Sequence, residues 1–410
     1  MNCVPQSNSH LGELRLLLEE LCCDLCRFEH VTKDGLAPEA VRIDREYWLG
    51  AAGVFADIRV APANQLPYYV EVKFGYTADV LVRHLVRKYK SHAGTTPNAS
   101  KVVLVVDRAN HADWETIEQQ IESNLAAGLE LEVWDESRLL SLLAERFEVD
   151  IPRITPDALL DVRQAIDRAK GFHAFGGSSL TEYEHDPVKA ALLWHFGFWR
   201  LRHLRTAGRQ TPRDILPPTL YRGVAVLLAD LCAFSSFVRD TADHDIVRES
   251  LTSFYSKARY QIINSGGMLY QFVGDQVIGL FGIPDQPSGF AEAALDTARA
   301  LCRIGESVSQ HWQRRIDRVQ DASGVHVGVA LGDIQIVSLR PFSRMHIGAI
   351  GDCINVAARL LEPAGPSEVV MSNAFHQALG DASQVRSHEI EPVEARNVGR
   401  IRAWKLASPK

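Results

Sequence analysis

Two apolar runs that each end on a carboxylate restrict what this chain can fold into. Val224-Ala-Val-Leu-Leu-Ala-Asp230 is β-branched and apolar, reads as a buried strand, and finishes on Asp230. Leu269-Tyr-Gln-Phe-Val-Gly-Asp-Gln-Val-Ile-Gly-Leu280 reads as two strands joined at Gly274-Asp275, a pair suited to a tight hairpin. Asp275 is then expected at a hairpin tip, held out from a rigid sheet. An aspartate at a strand end is more often a cap or turn residue. Two of them on neighbouring strands suit a divalent-cation site for phosphate chemistry, because Mg²⁺ and Mn²⁺ take hard oxygen ligands and leave positions for substrate phosphates. What lies downstream decides between these readings.

With 410 residues the chain has room for two domains, or three. A net charge of −7 gives no global pull toward nucleic acid or anionic membrane. No apolar run approaches the ~18 residues of a membrane-spanning helix. The start, Met1-Asn-Cys-Val-Pro-Gln-Ser-Asn, lacks the basic and apolar blocks of a signal peptide. Cys22, Cys23 and Cys26 share one helix-like segment with no second Cys or His pair at ligand spacing. They read as reduced, buried thiols, and the compartment is expected to be the cytoplasm.

Residues 11–29 carry helical periodicity and open an amino-terminal α/β domain, expected over residues 1–148. Strands are expected at Gly53–Val60, Tyr68–Lys73, Lys101–Asp107 and Leu129–Trp134, with helices at Val80–Lys90, Trp114–Ala127 and Glu136–Arg146. Asp57 followed by Glu71-Val-Lys73, in this order of elements, resembles the PD-(D/E)xK restriction-endonuclease-like fold. That resemblance implies two acids on Mg²⁺ and a lysine facing the attacked phosphate. Ala56 stands where the family usually has proline before the first acid. A regulatory or sensor role is the expectation for this domain. The helix with Arg83, His84, Arg87, Lys88 and Lys90 is either a solvated basic face or a track for a nucleic-acid backbone.

Prolines at 152, 156, 187, 212, 217 and 218 and the Gly176-Gly-Ser-Ser179 break mark residues 149–218 as a helical connector. It holds helices near Asp157–Lys170 and Pro187–Leu204. The second carries Trp194, Phe196, Phe198 and Trp199 on no single stripe, so it is expected to be enclosed by the catalytic core or by a partner copy. Beyond the Pro217-Pro218 pair, helices are expected at Ser253–Ile263 and Gly289–Trp312. A strand pair is expected at Gly324–Ala330 and Asp333–Val337, then a turn at Gly348–Asp352 and a helix at Cys353–Leu361. Final strands are expected at Glu368–Met371 and Arg400–Leu406.

Four blocks in this region resemble the class III nucleotidyl cyclase domain, an α+β, ferredoxin-like fold, over residues 219–410. They are Leu228-Ala-Asp-Leu-Cys-Ala-Phe-Ser235, Gly266-Gly267…Phe272-Val-Gly-Asp275, Gly324-Val-His-Val-Gly328 and Ile350-Gly-Asp-Cys-Ile-Asn-Val-Ala-Ala-Arg-Leu360. The resemblance implies that Asp230, Asp275 and the carbonyl of Leu231 hold two divalent cations, Mn²⁺ or Mg²⁺. It implies that Asn355 orients the ribose, Arg359 meets the α-phosphate, and Arg396 stands where a lysine usually meets the terminal phosphates. Arginine would do that last task as a planar fork in place of a point charge. Asn355 and Arg359 are one helical turn apart and so share a face. Because the family's site lies between two domains and this chain has one, the resemblance implies a homodimer with two equivalent sites.

The family's two base-reading positions fall on Gln271 and Gly348, which match neither its adenine nor its guanine pairing. A Gln amide offers both a donor and an acceptor, enough for the Watson–Crick edge of a pyrimidine. Together with the α/β module this resembles the bacterial pyrimidine cyclases of Pycsar anti-phage systems. The expected reaction is conversion of UTP to 3′,5′-cyclic UMP and pyrophosphate, the product being read by a separate effector protein. CTP remains open, and an adenylate or guanylate cyclase in ordinary second-messenger signalling is the alternative.

Overall fold

The structure, a computed structural model, describes residues 7–51, 53–90, 98–176, 187–209, 211–317, 322–339, 346–384, 386–395 and 399–407. The chain divides into two compact units, Met1–Ala169 and Lys170–Lys410. The residues expected to form a separate connector, 149–218, are therefore shared between them.

In the first unit the elements are α1 (Ser7–Lys33), β1 (Val41–Trp48), β2 (Phe55–Pro62), β3 (Tyr68–Val72), α2 (Ala78–Tyr89), β4 (Lys101–Val105), α3 (Trp114–Glu122), β5 (Glu130–Trp134) and α4 (Glu136–Phe147). The sheet runs β1-β2-β3-β4-β5, antiparallel as far as β3 and parallel from β3 to β5. β3 is buried at every position and β4 at all but Lys101, as suits strands covered on both faces. Leu81, Leu85 and Tyr89 of α2 and Ile117 and Ile121 of α3 pack with Tyr69, Val102 and Leu104. α1 is much longer than the expected segment and packs on the sheet and on α4, burying Leu14, Leu18 and Leu21 completely. β1 is absent from the sequence reading. Its run Val-Arg-Ile-Asp-Arg-Glu-Tyr-Trp looks polar, yet Asp44 and Arg45 are buried because partners meet them. Arg42 and Arg59 meet Asp44, and Arg45 meets Glu19 of α1.

Helix α5 (Leu159–Phe175) crosses the boundary between the units. The second unit holds α6 (Pro187–Thr206), α7 (Pro212–Ile215), β6 (Leu220–Leu231), α8 (Phe234–Asp240), α9 (His244–Asn264), β7 (Met268–Val273), β8 (Gln276–Phe281) and α10 (Phe290–Ile316). It continues with β9 (Val325–Leu339), β10 (His346–Ile350), α11 (Asp352–Arg359), β11 (Val369–Ser372), α12 (Asn373–Ala378), α13 (Asp381–Gln384), β12 (Ser387–Ala395) and β13 (Gly399–Leu406). Its sheet has the order β12-β13-β11-β9-β6-β8-β7, with β10 paired to β9. The central four, β9-β6-β8-β7, are linked strand–helix–strand–strand–helix–strand, which is a ferredoxin-like split βαβ arrangement. Alternate residues of β6 (Ala225, Leu227, Ala229) face a core made with Phe254, Ala258 and Ile262 of α9 and Leu295, Leu301 and Trp312 of α10.

Two expectations are corrected, and one strand is added. Gly324–Ala330 and Asp333–Val337 are one continuous strand, β9, whose early part pairs with β6 and whose later part pairs with β10. Gly348 lies inside β10, opposite Val337, and not in a turn. β12 was missed because its charges and Pro392 mask it; pairing with β13 is interrupted between Ile390 and Val393, on either side of that proline.

Helix α6 packs on α9 and β7 and buries Phe196, Phe198 and Trp199, while Trp194 remains 46 % exposed. It is kinked at Gly197 (φ 70°, ψ 172°), where a Cβ would come within 2.6 Å of Ile263. Beside the kink, Arg259 donates to the Leu193 and Trp194 carbonyls, both at 3.1 Å.

Candidate active site

β6 and the β7–β8 hairpin bring Asp230 and Asp275 together. Asp230 is opposite Gln276 of β8, and Asp275 precedes Gln276 at the hairpin tip. Gly274 adopts φ 63°, as a two-residue loop requires. The tip is tied down by Tyr255 of α9, whose hydroxyl donates to the Gly274 carbonyl and whose ring stacks on Phe272 at 3.9 Å. Trp194 meets the other edge of Phe272 at 5.9 Å.

The electrostatics of this pair are unbalanced. Burial, then the negative charge of Asp230, raise the Asp275 carboxyl above the ordinary carboxylate range. The Oδ2 of Asp230 lies 2.9 Å from Nε2 of His326, but its Oδ1 is buried and has no hydrogen-bond partner among the described residues. An orphaned carboxylate oxygen beside a second carboxylate fits a hard divalent cation. No group of three or more His, Cys, Asp or Glu side chains arranged for a metal occurs among the described residues. To hold a cation, the pair would need backbone, water or substrate oxygens to complete the coordination sphere. Leu231 closes β6, its side chain buried, so only its backbone is available to such a site.

Asn355 and Arg359 both lie exposed on α11, one turn apart. Arg359 makes a surface ion pair with Glu362 at 2.7 Å. No hydrogen bond or ion pair connects this helix face to Asp230 or Asp275 among the described residues. Gln271 is exposed on β7 and Gly348 is buried on β10. Their strands are joined by the Tyr270 hydroxyl, which accepts from the Ala349 amide at 3.1 Å. A register shift between Leu269 and Gln271 leaves Tyr270 unpaired with β8, so simple strand alternation does not fix the direction of Gln271. Arg396 lies outside the described residues.

Tyr270 is recognisable from the sequence as a neighbour of Gln271; Tyr255 is not, and His326 stands out only as part of the Gly324–Gly328 block. The signal for His326 was present: it is the one polar residue among the apolar positions Val325, Val327 and Val329 of a central strand.

In the first unit, Asp57 and Glu71 come together on β2 and β3, but their surroundings differ. Lys73 meets both, at 2.7 Å for Glu71. Lys88 of α2 also meets both, at 2.6 Å for Glu71 and 3.4 Å for Asp57. Tyr89 donates to Glu71 at 2.5 Å. Burial alone would raise the Asp57 carboxyl, but the two ammonium charges outweigh it and hold the group well below the usual range. Arg83 and Arg87 are exposed on α2, and Lys90 is exposed just past its end. All six described cysteines are buried, and none is bridged. No helix among the described residues is long and apolar enough to cross a membrane.

No protein-family model matches the chain. Over 190 residues, 46 % of the chain, it is 27 % identical to an uncharacterized protein of Mycobacterium bovis. Over 165 residues it is 28 % identical to an uncharacterized protein of Mycobacterium tuberculosis, covering 40 % of the chain. These matches cover 31 % and 26 % of the relatives, so the chain spans about a third or less of their length. Among solved structures, the adenylyl cyclase CyaB from P. aeruginosa is similar over 46 % of this chain and 95 % of its own, with 18 % identity and a TM-score of 0.42. The guanylyl cyclase Cya2 is similar over 46 % of this chain and 93 % of its own, with 20 % identity and a TM-score of 0.40.

Proposed function

We propose that the second unit is a nucleotidyl cyclase that converts UTP to 3′,5′-cyclic UMP and pyrophosphate. The observation that carries this reading is the Asp230–Asp275 pair: two carboxylates on adjacent strand ends, one with a buried, unpartnered oxygen, within the four sequence blocks that resemble cyclases. Asp230, the Leu231 carbonyl and Asp275 would hold two divalent cations, Mn²⁺ or Mg²⁺. Such cations, when bound, acidify the ribose 3′-hydroxyl and neutralise the α-phosphate it attacks. Asn355 orients the ribose and Arg359 donates to the phosphate oxygens as charge builds on them. Arg396 meets the departing pyrophosphate. Gln271 reads the uracil edge, with Gly348 leaving space beside it.

Among the described residues no hydrogen bond or ion pair joins Asn355 or Arg359 to the aspartates of their own chain, which favours a homodimer in which each site takes aspartates from one chain and α11 from the other. The cyclic nucleotide would serve as a second messenger for a separate effector in anti-phage defence. The first unit would act as a restriction-endonuclease-like sensor, with nucleic acid as the ligand its basic α2 face suits.

The test is product identification after incubating the purified chain with all four ribonucleoside triphosphates and Mn²⁺. Cyclic UMP is expected, and Asp275→Ala should abolish it while the dimer persists. Cyclic AMP or GMP would keep the mechanism and overturn the reading of Gln271 and Gly348. No cyclic product from any nucleotide, or full activity in Asp275→Ala, would overturn the proposal.

A further inference from the structure

We propose that His326 is the positioning residue of this site: it fixes the Asp230 carboxylate so that Oδ1 is presented for cation binding. The inference rests on the reading of Asp230 as a cation ligand. β9 pairs with β6 so that His326 stands directly opposite Asp230, and cross-strand partners project from the same face of a sheet. An ionised carboxylate only accepts hydrogen bonds, so Nε2 is the protonated ring nitrogen and donates to Oδ2 at 2.9 Å.

Asp χ2 has broad wells, so packing alone holds the plane of a carboxylate loosely. Here one oxygen is engaged by His326, while the other is buried and has no hydrogen-bond partner among the described residues. If the His326–Asp230 contact served stability alone, this would be a poor arrangement. A single partly buried hydrogen bond contributes little beside the cost of leaving the other buried oxygen unsatisfied. Asp275 stands beside Asp230 at the tip of the adjacent hairpin. The three groups make sense together if a cation completes them, with His326 setting the orientation beforehand. Partners that orient a ligating carboxylate in this way typically contribute 10–100-fold to metal affinity.

The experiment is a Mn²⁺ titration of the full chain without nucleotide, read by the electron paramagnetic resonance of the free ion, with thermal melting in chelator as a parallel readout. His326→Ala should weaken Mn²⁺ binding about 10–100-fold. His326→Gln, which keeps an N–H donor, should restore most of it. Should the alanine variant fail to fold, His326→Leu replaces it at closer size. Wild-type Mn²⁺ affinity in a folded variant without the donor, whether or not its melting temperature falls, would overturn the proposal. So would equal losses in the Gln and Ala variants. Asp230→Asn separates the layers of the argument: if it binds Mn²⁺ like the wild type, the cation reading fails and His326 falls with it. If the wild type binds Mn²⁺ through Asp230 and His326 but makes no cyclic nucleotide, the cyclase reading alone fails.

Discussion

Gly328→Ala is the substitution whose consequence the structure specifies most closely. Gly328 lies in β9 between two partners, opposite Leu228 of β6 and Val370 of β11, so the strand has no freedom to move aside. On its open face lies α11: a Cβ at this position would stand 2.1 Å from the Ala357 carbonyl oxygen. A carbon–oxygen contact settles at about 3.3 Å or more, so the helix must lift by on the order of 1 Å. α11 is eight residues long and carries Asn355 and Arg359 on its exposed face. Any shift at Ala357 passes directly to both.

Overpacking of this kind costs about 1–3 kcal/mol, and a unit of this size loses roughly 2–4 °C of Tm per kcal/mol. The protein should therefore stay folded at room temperature. A displacement of about 1 Å in groups that grip the reacting phosphate can cost ~10²-fold in rate. The assay is chromatographic product formation together with thermal melting. Gly279→Ala is the control, because the atoms nearest its Cβ are side-chain carbons of Ile262 in α9, from 3.1 Å away, and not atoms of α11. A folded Gly328→Ala chain with undiminished turnover would refute the claim that the glycine exists to seat α11, and would weaken the assignment of that helix to the active site.

Two further outcomes follow from the same geometry. Burial and the Asp230 charge raise the Asp275 carboxyl, so the stability this group contributes is present below the ordinary carboxylate pKa of about 4 and is lost as pH rises through its raised value. In chelator at neutral pH, Asp275→Asn should melt above the wild type, with the gap closing near pH 4 and reversing when Mn²⁺ is added; a variant that melts lower in chelator at neutral pH would contradict the repulsion argument. Mixing Asp230→Ala and Arg359→Ala chains should restore up to one working site per dimer, measured as product rate against each variant alone. No recovery in a mixture shown to form heterodimers would rule out sites shared between chains.

What could be read in advance followed the physics of each segment. Val224–Asp230 and the Gly274-Asp275 turn were legible because a β-branched run and a tight-turn pair are local signals. α10 was legible from its long apolar stripe. β1 was not, because its buried Asp44 and Arg45 are rescued by Glu19, Arg42 and Arg59, partners that no local window contains. β9 was split in two at Leu331-Gly332, where the glycine suggests a turn. In the structure that glycine stays in the strand and makes room for Cys353 of α11, whose Cβ would lie 2.7 Å from an added methyl. The positions of Asp230 and Asp275 were readable. The unpaired state of Asp230 Oδ1 was not, since it depends on what β9 and the hairpin leave uncovered.

The chain contains two pairs of acids that sequence alone treats alike, and the structure separates them. Asp57 and Glu71 meet the ammonium groups of Lys73 and Lys88, so two negative charges face two positive ones, and Tyr89 adds a donor to Glu71. A divalent cation entering there would have to displace Lys88 from both carboxylates, losing two charge-assisted contacts in a buried setting where they are strong. Asp230 and Asp275 have no lysine or arginine in contact among the described residues, only His326 at one oxygen. Their repulsion is therefore only partly compensated among the described residues. By charge balance alone, the pair in the second unit is the one that calls for an external cation, while the pair in the first unit is already neutralised by side chains. In the first unit the basic α2 face remains exposed, while Lys88 stands between the two acids.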